Sequence, residues 1–166
     1  LDRYEEAEAS WAASLVADPN YVWAHYYRGQ AAMAHGRYAE AATAFLRVLE
    51  REDFHPARLW SWIAHRRAGL AVADVPAQAA WPGAIGAHLR GEISRRELEG
   101  AARTARLDID NRRLASALYF SGQRSLAEGK TGAARATLRR ALALQTPAFP
   151  ERTAAHYELR QLEQGR

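Results

Sequence analysis

Three groups of residues in this 166-residue chain have the types that could do chemistry. Gly129-Lys130-Thr131 has the ending of a phosphate-cradling loop. That loop needs GxxxxGK[ST], because glycines let backbone N–H groups wrap the phosphates while the lysine reaches them. Its first glycine would fall where the chain has Arg124, and it should follow a strand, whereas the pattern before Gly129 is helical. A glycine-ended helix and a two-residue turn account for the tripeptide. The histidines, His25, His35, His55, His65, His88 and His156, show neither HxxxH nor HExxH spacing, so no helix face collects two of them for a metal. Glu50, Glu52 and Asp53 form an acidic cluster at a helix end that surface charge explains; acid–base work would need a cleft that shifts their pKa values. There is no GxSxG elbow. Cysteine is absent, which removes disulfides, thiolate metal sites and cysteine nucleophiles together. The residues predict no enzyme, no metal site and no cofactor.

The elements that would position side chains are legible in a spacing of 34 residues. Tyr4, Ala7, Trp11, Leu15 and Pro19 line up with Tyr38, Ala41, Phe45, Leu49 and Asp53. A helical pattern with a period near 34 marks the tetratricopeptide repeat, a helix–turn–helix unit that stacks on copies of itself. Such units bury their apolar faces against neighbours and leave a curved surface for binding. The expected fold is all-α: a tetratricopeptide-repeat helical solenoid with an irregular helical insert in the middle, read as one domain over 1–166.

Within that domain, residues 1–20 read as part of a repeat and 21–54 as a full one. A divergent unit with its insert covers 55–109, a degenerate repeat 110–147 and a capping helix 148–166. The first helix is expected over about 3–16, closed by the turn Asp18-Pro19-Asn20. The next runs over about 22–35 to Gly36, suited to a left-handed C-cap, and its partner over 38–51. Gly29 and Ala41 are read as facing each other where the pair approaches. Pro56 suits a first helical turn, and Ile63 takes the place of Gly29 in the third unit. Pro76 and Trp81-Pro82-Gly83 break residues 72–92 into short helical pieces. Ser94 and Glu97 make a capping box, with Ile93 and Leu98 as its hydrophobic staple and a helix over 95–106. Gly122, Gly129, Ala134, Leu138, Ala141 and Leu142 then repeat Gly29, Gly36, Ala41, Phe45, Val48 and Leu49 at a constant offset of 93. The last helix, about 150–162, is expected to turn Tyr157 inward and its charges outward.

The net charge of +4 is uneven: residues 1–83 carry 8 basic and 10 acidic side chains, and residues 84–166 carry 15 and 9. Lys130 is the single lysine among the 23 basic residues. Arg95, Arg96, Arg103 and Arg106 alternate with Glu92, Glu97, Glu99 and Asp108, as on a solvated helix face with local ion pairs. No stretch of 18 apolar residues spans a membrane. The Tyr4–Leu15 pattern reads as the second helix of a repeat whose first helix is absent. It predicts a piece of a longer chain, with any signal peptide or lipid anchor upstream.

Most of the chain, about residues 21–163, resembles the bacterial NlpI-like lipoproteins. The likeness rests on LWSWIAHRRAGL (59–70), WPGAIGAHLRGEISRRELEGAAR (81–103), LYFSGQRSLAEGKTGAARATLRRAL (118–142) and AAHYELRQL (154–162). The resemblance implies an all-helical protein without catalytic residues, tethered to the outer membrane and facing the periplasm. It further implies an adaptor that brings cell-wall hydrolases together with a tail-specific protease. The lipid-anchor region of that family is not in this sequence.

Tetratricopeptide arrays bind peptides on the concave face made by the first helix of each repeat. Here that face is expected to carry Trp23, Tyr26, Gln30 and Met33, then Trp60 and Arg67, then Tyr119, Gln123 and Leu126. Aromatic anchors beside adaptable polar groups suit a peptide hot spot; the same stripe at helical spacing also suits a core. Tyrosine and glutamine stand where carboxylate-clamping repeats use lysine and asparagine, so that client class is not expected. Two other readings stay open: a homodimerising structural module, and an arginine-driven binder of nucleic acid or anionic surfaces.

Overall fold

The computed structural model describes residues 2–72, 81–104, 106–144, 146 and 151–164 and falls into two compact units that divide between residues 73 and 74. Among the described residues the chain is all-α. The first unit holds α1 (Asp2–Ala17), α2 (Val22–Ala34), α3 (Tyr38–Leu49) and α4 (His55–Ala68). The second holds α5 (Gly83–Arg90), α6 (Arg95–Ala101), α7 (Leu107–Ala127), α8 (Thr131–Ala143) and α9 (Arg152–Glu163). The expected break at Pro76, the helix start at Pro150 and the side chain of Tyr4 lie outside the described residues.

In the first unit α2 packs on α1 and α3, and α3 on α4. Asp18 Oδ1 accepts from the Asn20 N–H at 2.9 Å and closes the turn before α2. The α2–α3 turn follows from Gly36, whose φ of +73° strains any residue with a Cβ. There the Arg37 N–H donates to Ala32 O at 2.8 Å and the Gly36 N–H to Met33 O at 3.1 Å, satisfying helix-end carbonyls. The α7–α8 turn repeats this bond for bond: Gly129 has φ +73°, Lys130 N–H donates to Ser125 O at 2.8 Å and Gly129 N–H to Leu126 O at 3.0 Å. Gly129-Lys130-Thr131 is thus a helix-to-helix turn.

The two helix pairs also share their point of closest approach. A Cβ on Gly29 would lie 2.7 Å from Phe45 Cε1, and one on Gly122 would lie 3.0 Å from the Leu138 side chain. Phe45 and Leu138 stand 93 residues apart, as Gly29 and Gly122 do. The residue filling the space beside Gly29 is Phe45, one turn beyond the Ala41 expected there. A long ring from the next turn reaches back over the gap that a methyl group leaves open.

In the second unit α7 packs on α8 and α8 on α9, while α5, α6 and α7 pack on one another. The capping box forms as expected: Ser94 Oγ accepts from Glu97 N at 3.2 Å, and Ser94 N donates to Glu97 Oε2 at 2.7 Å. Leu98 is fully buried beneath it. The helix ends at Ala101 rather than near residue 106. Thr104 offers the backbone another partner, its Oγ1 accepting from Arg106 N at 2.9 Å, and such local side-chain bonds compete with helix. α7 then starts at Leu107, so the expected boundary between 109 and 110 falls inside a helix.

α9 turns Ala154, Ala155, Glu158 and Leu162 inward, and Tyr157 is only half-buried, its ring 5.9 Å from the Arg160 guanidinium carbon. The expected inward Tyr157 and outward charges are therefore corrected: the apolar stripe of this helix runs through its alanines and carries Glu158 with it. Glu151, at the N-cap, is buried too and accepts from Ser116 Oγ at 2.7 Å. Burial pushes its carboxyl above the ordinary value of 4.5, outweighing the Ser116 and backbone hydrogen bonds that favour the charge. A raised folded-state pKa contributes stability that is full below 4.5 and is lost as pH rises through the folded value. Glu151→Gln keeps the acceptor oxygen without the charge. Its thermal midpoint should match the parent near pH 4 and exceed it near pH 7. A parent more stable than the variant at pH 7 would overturn this.

Candidate functional site

The first unit is organised by a chain of aromatic rings. α1 supplies Trp11, α2 supplies Trp23, Tyr26 and Tyr27, the α3–α4 link supplies Phe54, and α3 and α4 supply Phe45 and Trp60. Trp23 meets Phe54 edge-on at 5.4 Å, and Phe54 meets Tyr26 at 5.2 Å. Tyr26 meets Phe45 at 6.0 Å, and Phe45 stacks on Trp60 at 5.9 Å. On the outer side Trp11 stacks on Tyr27 at 5.9 Å with 18° between planes, and Tyr27 lies 6.3 Å from Trp23.

This line runs from surface to core, and burial divides the residues expected to bind. Trp23 is 41 % exposed, whereas Tyr26, Met33 and Trp60 are inside, Trp60 to 1 %. Gln30 and Arg67 are half-buried. Arg67 is engaged within the unit: its guanidinium lies over the Tyr38 ring at 4.1 Å, and its Nη2 donates to the Tyr38 hydroxyl. Tyr119 and Gln123 belong to the second unit and are wholly buried on α7, where Tyr119 packs edge-on to Phe120 at 5.3 Å; Leu126 is half-buried. The expected open face is thus corrected at Tyr26, Met33, Trp60, Tyr119 and Gln123, which fill the interior. The reason is geometric: one helix side must satisfy both the partner helix and any groove, and at these positions the partner helix takes the side chain.

Sequence reasoning missed Tyr27, 43 % exposed, and Trp11 beneath it. The available signal was the tyrosine pair in Tyr26-Tyr27: adjacent helical residues lie about 100° apart, so both cannot enter one core. Tyr21 and Leu70 add further exposed apolar surface to this unit.

Titratable groups nearby have ordinary structural partners. His25 Nε2 lies 2.9 Å from Pro19 O, and His65 Nδ1 lies 2.7 Å from Ser61 O. In the acidic cluster Glu50 pairs with Arg47 at 2.9 Å and Asp53 with Arg58 at 2.7 Å. The Arg58 hydrogen bond and charge hold the Asp53 carboxyl below its usual range, opposite to what a general acid needs. Among the described residues, no three His, Asp or Glu side chains come together as metal ligands, and no helix is long and apolar enough to cross a membrane.

Residues 22–55 match the tetratricopeptide repeat. The match covers α2, the Gly36 turn, α3 and the link into α4, the segment whose geometry the α7–α8 pair repeats. No curated protein and no solved structure matches the chain.

Proposed function

We propose that this chain is a non-enzymatic protein–protein interaction scaffold whose first unit meets its partner through Trp23 and Tyr27, backed by Trp11. The observation that carries the reading is a pair of large aromatic side chains left exposed in a tetratricopeptide repeat yet fixed by ring contacts. Side chains already held lose little freedom on binding, which otherwise costs about 0.5–1.5 kcal/mol each. Tryptophan and tyrosine are also the residues that dominate interface energies.

The resemblance to the NlpI-like lipoproteins supports a narrower reading: a periplasmic adaptor, tethered to the outer membrane through an upstream anchor, that links cell-wall hydrolases with a tail-specific protease. The test is surface plasmon resonance of the chain against that protease. Truncating Trp23 and Tyr27 to alanine should weaken binding at least about tenfold, the effect of losing one modest hot spot. Far-UV circular dichroism should be unchanged. Unchanged affinity in the variant would remove these residues from the interface, and no binding by the parent would remove the narrower reading.

A further inference from the structure

α9 is fastened to the second unit differently at its two ends. At the C-terminal end two arginines of α8 reach across to it. Arg135 Nη2 donates to the Leu162 carbonyl at 2.7 Å, and Arg139 Nη2 donates to Glu163 Oε1 at 2.8 Å. Cations there satisfy a carbonyl that the helix end leaves open, and they suit the negative end of its dipole. Arginine is never deprotonated in a protein, so the bond to the Leu162 carbonyl is indifferent to pH.

At the N-terminal end the tie is the buried Glu151 carboxyl, which accepts from Ser116 Oγ on α7 at 2.7 Å. No cation pairs with that carboxyl among the described residues. On α7, Arg112 is exposed and Arg113 lies over the Trp81 ring at 5.7 Å. On α8, Arg135 and Arg139 hold the far end of α9. On α9 itself His156 is exposed, Arg152 is half-buried, and Glu158 lies two turns along on the buried face. A carboxyl buried against a neutral hydroxyl docks as the neutral acid, and in water it becomes the charged base. Apolar packing does little to oppose its release. The buried apolar residues of α9 are Ala154, Ala155 and Leu162. The two alanines adjoin Glu151, whereas the leucine sits at the arginine-held end. Sparse apolar burial marks the part of a fold that opens first, and a helix of 12 residues does not hold its shape alone.

We propose that α9 is a strap that opens from its N-terminal end as pH rises, pivoting on its arginine-held C-terminal end and uncovering the α7 surface around Ser116. Burial holds the Glu151 carboxyl above its ordinary value of 4.5, against the hydrogen bonds from Ser116 and from its own backbone. Below 4.5 the carboxyl is neutral whether α9 is docked or not, and pH has no hold on the strap. Above it the released form ionises while the docked form resists, so docking weakens as pH rises through the docked-state value. The device is local. Its trigger lies in the first turn of α9, and the bond between Arg135 and the Leu162 carbonyl contains nothing that titrates in this range.

The test is amide hydrogen exchange of the full chain near pH 5 and near pH 8, with each amide corrected for its intrinsic rate. Residues 155–158, whose amides bond within the first turns of α9, should lose protection at the higher pH. Residues 161–164 should lose less, and the amides of α7 and α8 should keep theirs. Glu151→Gln keeps the acceptor oxygen without the charge, so it should leave residues 155–158 equally protected at both pH values. Glu163→Gln removes a carboxylate from the other end of α9 and should leave the pH response of residues 155–158 in place. An equal loss across α7, α8 and α9 would mean global unfolding and overturn the proposal. So would protection that does not change with pH, a pH response that survives Glu151→Gln, or one that Glu163→Gln abolishes.

Discussion

Replacing Trp60 with alanine is expected to lower the stability of the chain by about 3–5 kcal/mol, read as a shift in the urea midpoint. Trp60 is 1 % exposed and stacks on Phe45, itself 0 % exposed, so truncation leaves a cavity the size of an indole at the junction of α3 and α4. Neither neighbour can collapse into it: Phe45 is held from the other side by the backbone of Gly29, and Ile63 on α4 is fully buried. The same substitution at Trp23 should cost about 1 kcal/mol, because that ring is partly in water already and loses mainly its edge contacts with Phe54 and Tyr26. The contrast between two tryptophans of one unit separates core from surface, and comparable losses at both would contradict the burial that divides them. It also decides how partner binding is tested. A variant carrying Trp60→Ala would lose binding by unfolding, whereas Trp23→Ala with Tyr27→Ala removes exposed surface from an intact unit.

Gly29→Val should destabilise by about 2–3 kcal/mol. The new Cβ would stand 2.7 Å from Phe45 Cε1 and 2.8 Å from Cζ, closer than real carbon atoms approach. The ring cannot yield, being wedged between Tyr26 and Trp60, so α2 and α3 must separate. Valine recovers little through helix propensity, since it and glycine both sit near the unfavourable end of the scale. Adding Phe45→Leu should restore part of the loss, because it recreates the Gly122–Leu138 arrangement, where the neighbour is a smaller side chain whose methyl can move. Denaturation of the single and double variants measures the coupling directly. Additive losses in the double variant would show that the ring is not what Gly29 accommodates.

The periodic parts of this fold were legible for a physical reason. Gly36 and Gly129 end helices because only glycine adopts their backbone without strain, and Ser94 with Glu97 starts one because their side chains satisfy backbone donors that a helix start leaves open. These are local constraints, written within four residues of where they act. Even the long-range pairing of Gly29 with the α3 helix was announced by its repetition 93 residues later, although the contacting residue was misplaced by one turn. The end of α6 was misread because a threonine hydroxyl competing for the backbone looks, in sequence, like any other polar position.

The candidate sites were less legible. A tryptophan carries the same letter at 23 and at 60, and only packing decides that one faces water and the other the Phe45 ring. Glu151 and Glu158 read as surface charges until α9 settles on α8. Arg95, Arg96, Arg124, Lys130 and Arg140 line one cleft with Glu99 and Glu128; their alternating signs look balanced along the chain but leave cations in excess where four helices meet. By itself the sequence determined helices, turns and the repeat, because these are set by backbone conformation and hydrogen bonding over a few residues. Only the tertiary structure decided which aromatic rings are exposed and which charges converge, because exposure and electrostatic fields are sums over neighbours distant in the chain.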